Sequence, residues 1–405
     1  MRLWDHIDRL DRPAWLLLVI SGLYAISTAL SNTFVNVYLW KLQPNFAIIG
    51  YYNLANYLAV AITFVLAGRL TKQVDRVIAI RIGVALQALF YLAVLLLGNR
   101  SVEWVFLLGM FLGVGSGFFW LSYHVLYFEI TERNNRDIYN GIHGLITSGA
   151  GILAPVISGW IITRIDHFTG YRWIFALSLV VFLVAVAVSF MLSRRSASGV
   201  YRLKEILCLA FDRQNHWYWV NLAMVAQGIR EGLFAFLISL LIFVATGNEL
   251  SLGGYLTASS AIAFIAYFMV GRFIKIRWRD ESILIGAVML GVVALPLLWD
   301  VNTWALVVLG WGIALFYPLY LVPFTSVVFD VIGENQETAR LRVEYVVARE
   351  LAFNVGRVFS VAIFLWWVQG MSDPSELRWL VLSVGFVQLF AWLAIRRVPL
   401  LEQEP

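Results

Sequence analysis

A single cysteine, Cys208, stands in a chain of 405 residues, which excludes an internal disulfide and any cysteine-rich metal site. Charge is scarce as well. Asp, Glu, Lys and Arg make up only 14% of the chain, and the net charge of +5 is spread over short segments rather than a basic, aromatic-interleaved surface, so a nucleic-acid partner is not expected. No P-loop, dinucleotide fingerprint or nucleophile elbow appears, nor a metal-ligand or nucleophile–base set. The glycines of "GVGSGFFW" near Gly113 sit in the middle of an apolar run rather than after a strand, which points to helix packing instead of a phosphate cradle. The sequence therefore implies no cofactor and argues against an enzyme. Without a nucleotide site, any work would be driven by an ion gradient or a solute's own gradient.

What the chain has in excess is apolar surface: 61% hydrophobic residues and a mean hydropathy of +0.79. One soluble core of this length cannot hide that much, whereas a bilayer about 30 Å thick is crossed by roughly 20 apolar helical residues. Uncharged or nearly uncharged runs of that order recur at 13–40, 42–68, 82–99, 104–128, 142–163, 173–193, 250–271, 282–299, 301–329 and 379–395. A further span surrounds Arg230, and another runs from about 339 to 372. These runs are continuous rather than alternating, so helices are expected and barrel strands are not. The expectation is an all-α membrane protein with twelve transmembrane helices. The N-terminal "MRLWDHIDRLDRPAW" mixes both charge signs and lacks a small-residue cleavage site, so the first span is expected to be retained. Of the 30 Lys and Arg residues, 22 fall in the segments that face the cytoplasm if the N-terminus does, 5 on the other side and 3 inside spans. The positive-inside rule then puts both termini in the cytoplasm.

The longest polar connection, residues 193–216, divides the spans six and six. The expected domains are a bundle over 1–195, a cytoplasmic linker over 196–216 and a bundle over 217–405. The loop after span 2, "GRLTKQVDR" (68–76), returns after span 8 as "GRFIKIRWR" (271–279), with Gly, Arg, Lys and Arg in register. "YFEI" (127–130) and "VFDV" (328–331) correspond in the same way at the ends of spans 4 and 10. Two parallel six-helix repeats are an architecture of secondary transporters.

The first of these loops, Gly68-x-Leu70-x-Lys72-Gln73-x-Asp75-Arg76, resembles the G-x-L-x-D-R-x-G-R signature of the major facilitator superfamily. Gly68, Leu70 and Arg76 match it. Lys72 stands where the family has its acid, and Asp75 comes three positions later. "GAGILAPVISG" (149–159) resembles the family's fifth-helix signature, with Gly149, Gly151, Pro155 and Gly159 in place and Ala154 and Ser158 replacing two glycines. The resemblance implies two pseudo-symmetric six-helix bundles, alternating access between them, and a monomer. The fifth-helix pattern is commoner in family members that export substrate in exchange for protons.

Ions inside the membrane are costly, at least about 2.5–3.5 kcal/mol each on insertion scales, and usually mark a pathway or a paired structural site. Span 7 carries Arg230 and Glu231; span 11 carries Arg349, Glu350 and Arg357, with Asn354 between. Adjacent helical residues point about 100° apart, so Arg230 and Glu231 need partners on other helices. At 1.5 Å per residue, Arg230 lies about 21 Å in, between Glu350 at about 16 Å and Arg357 at about 27 Å. The expected cluster therefore pairs Arg230 with Glu350 and Glu231 with Arg357. Three cations against two anions leave a positive surplus, suited to an anionic cargo with Glu231 or Glu350 taking a proton during the cycle. The competing reading is a closed salt-bridge network that only fixes the two helices.

Softer polarity lies in the first half. Asn32, Asn36, Asn53, Asn56 and Tyr57 either line a cavity or join helices by hydrogen bonds. His124 and His143 are candidate proton relays or plain interface histidines. Glu129 and Asp330 are expected to pair with cytoplasmic arginines as conformational latches. Pro318 and Pro323 should bend span 10. Trp40 and Trp120 are cavity candidates. Two transport readings stay open: proton-coupled export of an amphipathic or lipid-like molecule, and uptake or exchange of a small organic anion. A non-transporting scaffold or a lipid scramblase is the reading from another class. The expected surroundings are the bilayer of the cell membrane, with a small-molecule substrate and protons as partners.

Overall fold

The computed structural model describes residues 10–131, 136–165, 168–195, 197 and 199–398, without the side chains of 136 and 137. The charged stretch 1–9, Arg133 and the C-terminal 399–405 lie outside the described residues. Twelve helices are long and apolar enough to cross a membrane: α1 (Arg12–Leu42), α2 (Phe46–Gln73), α3 (Arg76–Val102), α4 (Val105–Ile130), α5 (Ile138–Arg164), α6 (Thr169–Ser189), α7 (His216–Thr246), α8 (Glu249–Phe273), α9 (Ile276–Leu298), α10 (Thr303–Ile332), α11 (Arg342–Gly370) and α12 (Pro374–Ile395). Side-chain caps mark where several begin. Asp11, Asn45, Asp75, Asn215 and Asn302 each accept a backbone N–H of the first turn. A short helix, Leu203–Leu209, interrupts the connection between α6 and α7, buries Leu203 and Ile206, and leaves Cys208 exposed.

The structure separates into two compact units. One is 1–201 together with 248–257; the other is 202–247 together with 258–405. Their internal packing repeats. In the first unit α1 lies on α5 and α6, and α3 on α4 and α6; in the second α7 lies on α11 and α12, and α9 on α10 and α12. Each pairing is its counterpart advanced by six helices. The repeat reaches the loops: Arg76 bonds Glu129 at 2.5 Å in the first unit, and Arg279 bonds Asp330 at 2.6 Å in the second. Asp75 serves a different purpose. It is buried, caps α3 through Val77 and Ile78, and accepts the backbone N–H of Arg195 at 3.1 Å, which fastens the start of the linker.

Close helix crossings depend on glycine. Gly109, Gly113 and Gly117 form one stripe on α4, and a Cβ on Gly109 or Gly113 would lie 2.2 or 2.3 Å from the α2 carbonyls of Tyr52 and Asn56. These are packing glycines. On α5, a Cβ on Gly149 would meet nothing within 4 Å, so this glycine of the fifth-helix pattern makes no close crossing. Gly159 does make one, with its hypothetical Cβ 2.4 Å from the Glu249 carbonyl in the first turn of α8. α5 and α10 both continue as helices through their prolines, Pro155, Pro318 and Pro323.

Candidate functional site

The intramembrane charges sit on α7 and α11, two helices that cross at glycines. A Cβ on Gly228 would lie 2.0 Å from the Phe353 carbonyl oxygen, and one on Gly356 would lie 2.1 Å from that of Val225. Gly232 would meet the Arg357 backbone at 2.6 Å. This crossing places Val225, Gly228, Ile229 and Gly232 of α7 against α11, so Arg230, two residues past Gly228, projects from another side of α7.

The ion pairing is not the expected one. Glu350 bonds Arg357 of its own helix at 3.4 Å, receives the Asn354 amide at 3.2 Å, and has Arg349 at 3.9 Å. The spacing i, i+4, i+7 puts all three groups on one face, so α11 closes the pair on itself without reaching to α7. Glu231 bonds neither Arg357 nor Arg230. It is half-buried and accepts a hydrogen bond from the Tyr317 hydroxyl of α10 at 3.2 Å.

Arg230 is left over. It is 2% exposed, no carboxylate pairs with it among the described residues, and its Nε and Nη2 are buried without a hydrogen-bond partner. Its guanidinium centre instead lies 4.8 Å from the ring centroid of Phe234 and 5.0 Å from that of Tyr317. Each ring contributes about 0.5–2 kcal/mol, while burying an unpaired ion costs several kcal/mol. The cation therefore still needs an anion.

A neutral chain, given no role in the sequence reading, runs into this place. Gln388 of α12, fully buried, donates to Gln227 of α7 at 2.6 Å; Gln227 donates to the Tyr317 hydroxyl at 2.8 Å; Tyr317 donates to Glu231. Every link donates toward the carboxylate. Its only sequence signal is two glutamines in apolar spans. Glu344 was also missed: it is fully buried in the first turn of α11 and accepts the Arg202 backbone N–H at 3.2 Å.

In the first unit, Asn53 donates to Asn36 at 3.0 Å and Asn36 to the Asn32 carbonyl at 3.4 Å, a bond between α1 and α2 that joins helices. Tyr57 is buried, and Asn56 has a buried, unpartnered Oδ1. His143 is stacked on Tyr123 and Tyr139, and His124 lies against Trp120 and Tyr123. Trp40 packs on Phe46. A third polar group, unforeseen in the sequence, is Glu249: buried, it accepts from Lys41 at 2.6 Å and from the Tyr171 hydroxyl at 2.8 Å. No group of three or more potential metal ligands occurs among the described residues.

Twelve apolar helices in repeated bundles, with ionised side chains buried between helices, define a multi-pass membrane carrier rather than an enzyme. The sequence pattern of the Major Facilitator Superfamily matches residues 17–359, and the chain belongs to that family. It is 44% identical over 349 residues to the uncharacterized protein YqgE of Bacillus subtilis (strain 168), covering 86% of this chain and 81% of that one. It is 46% identical over 168 residues to an uncharacterized protein from the sodM 3' region of Geobacillus stearothermophilus, covering 42% of this chain and 78% of that one. Among solved structures, a bacterial homologue of the iron transporter ferroportin, in an inward-facing state, shares the fold with a TM-score of 0.67 at 13% identity, over 96% of this chain and 98% of that one. The Escherichia coli fucose:proton symporter shares it with a TM-score of 0.64 at 17% identity, over 95% and 98%. The protein is thus a secondary transporter of this superfamily.

Proposed function

We propose that the protein is a proton-coupled, alternating-access carrier of a small organic anion, working as a monomer in the cell membrane with both termini cytoplasmic. Arg230 anchors the cargo's oxyanion and Glu231 takes the proton. The observation that carries this reading is the buried guanidinium that no carboxylate bonds among the described residues and whose Nε and Nη2 have no hydrogen-bond partner. The α11 charges, Arg349, Glu350 and Arg357, form the supporting wall, because Glu350 is already occupied by its own helix. Export of an amphiphile has less support, since it leaned on the fifth-helix likeness and Gly149 makes no close contact. In this reading the ion pairs Arg76–Glu129 and Arg279–Asp330 are latches that break during the cycle.

The test uses liposomes holding the purified protein and a trapped pH dye, challenged in turn with small carboxylates, phosphate esters and uncharged amphiphiles. Proton movement is expected on adding a carboxylate or phosphate ester. A response to uncharged amphiphiles alone, or to no compound in the presence of folded protein, would sink the proposal.

A further inference from the structure

Arg230 needs an anion, yet the edge of its guanidinium that would take one in two parallel bonds, Nε and Nη2, is shut inside the protein. One of the two rings over it, Tyr317, is held from both sides: its hydroxyl accepts from Gln227 at 2.8 Å and donates to Glu231 at 3.2 Å. The other, Phe234, sits four residues along from Arg230 on the same helix and has no such tether.

We infer that Tyr317 is a tethered lid on the anion site, and that a proton on Glu231 releases it. Resting on the anion-carrier reading, this adds a coupling residue and a sign. The bond from Tyr317 to ionised Glu231 is charge-assisted, and such bonds are roughly twice as strong as neutral ones. Placing a proton on a Glu231 carboxylate oxygen removes that advantage. The hydroxyl is then free to turn away and the ring to swing off the guanidinium. The same proton removes the negative charge next to Arg230, so the cation is left to the cargo. Proton binding and anion binding therefore favour one another, and by linkage each raises the affinity for the other by the same factor. A carrier with that sign moves the two together.

The surroundings of Glu231 fit this assignment. The ionisable groups about it are Arg230 on α7, Tyr317 on α10, Tyr267 on α8, and Arg357, whose backbone lies against Gly232, on α11; Tyr320 of α10 lies on the Arg230 side. Glu350 is committed to Arg357, which leaves Glu231 as the half-buried carboxylate whose protonation reaches Arg230. The second tether on the Tyr317 hydroxyl comes from buried Gln227, backed by Gln388; neither carries a charge, so Glu231 is the tether that a proton changes.

The lid can be read without knowing the cargo. Phenylglyoxal, which condenses with guanidinium groups, is applied at one fixed pH to the full chain in detergent, and modification is followed residue by residue by mass spectrometry. Slow labelling of Arg230 is expected in the wild type. Tyr317→Phe, which keeps the ring but loses the tether, and Glu231→Gln, which mimics the protonated acid, should each speed it at least tenfold, with the rates at Arg349 and Arg357 unchanged. Tyr317→Ala should be at least as fast. Unchanged Arg230 labelling in Tyr317→Phe and Glu231→Gln overturns the lid, and so does an equal rise at all three arginines, which reports a loosened bundle. Because no cargo is present, a failed lid leaves the anion-driven proton signal to be judged separately, and a failed signal does not touch the labelling result.

Discussion

Arg230→Gln is expected to lower anion-driven proton movement about a hundredfold, with protein yield and melting temperature close to wild type. A hundredfold is about 2.7 kcal/mol, in the range of 2–5 kcal/mol for truncating one partner of a buried charge pair. Stability should hold because no carboxylate bonds the guanidinium directly: its ring contacts are Phe234 and Tyr317, the neighbouring Glu231 keeps its bond from Tyr317, and glutamine removes a buried charge rather than exposing one. Arg230→Lys separates charge from geometry. A lysine keeps the positive charge but offers no planar pair of donors, so it should retain weak transport, tens-fold below wild type. The measurement is initial proton flux in liposomes at matched protein density. Full flux in Arg230→Gln would mean the cation serves packing alone.

The second large effect concerns the crossing of α7 and α11. Gly356→Val and Gly228→Val are each expected to prevent stable assembly of the second unit, seen as loss of the cooperative melt in detergent. Overpacking a core ordinarily costs about 1–3 kcal/mol, because side chains can shift. Here the obstacle is backbone: a first carbon on Gly356 would stand 2.1 Å from the Val225 carbonyl oxygen and 2.7 Å from the Ile229 nitrogen. Only separation of the helices relieves that. Gly149→Ala is the control, since nothing lies within 4 Å of that position and no loss is expected. A wild-type melt for Gly356→Val would show that the helices are not in contact there.

Much of the fold was legible because the bilayer imposes it. Length and hydropathy alone locate twelve helices, and the correspondence of Arg76 with Arg279 and of Glu129 with Asp330 points to the repeat that the helix packing displays. The charged residues of the site were legible for the same reason, since ions stand out in apolar spans. Their pairing was not. Depth along a helix follows from residue count, but which face turns to which neighbour depends on the crossing, and that is set by Gly228, Gly232 and Gly356, which carry no chemical flag. So Glu350 was sent to Arg230 when its own helix already satisfied it. The covering groups, Tyr317 and Phe234, and the amide chain from Gln388 are invisible for another reason. Neutral polar and aromatic side chains are common in membrane helices, and only three-dimensional proximity separates these from the rest. Glu249 was overlooked because it lies at the mouth of a span, where charge is ordinary; its burial beneath Lys41 and Tyr171 is a tertiary fact.

The single exposed thiol on the short helix Leu203–Leu209 gives the native chain a spectroscopic handle. A maleimide fluorophore attaches at one place, Cys208, without any engineered change to the spans. A charged maleimide that cannot cross lipid also reports sidedness: with the linker in the cytoplasm, intact cells leave Cys208 untouched and opened cells label it to completion. Replacing that one residue by serine yields a thiol-free background, on which reporters can be installed singly at Tyr317 or beside Glu249 to watch each site move.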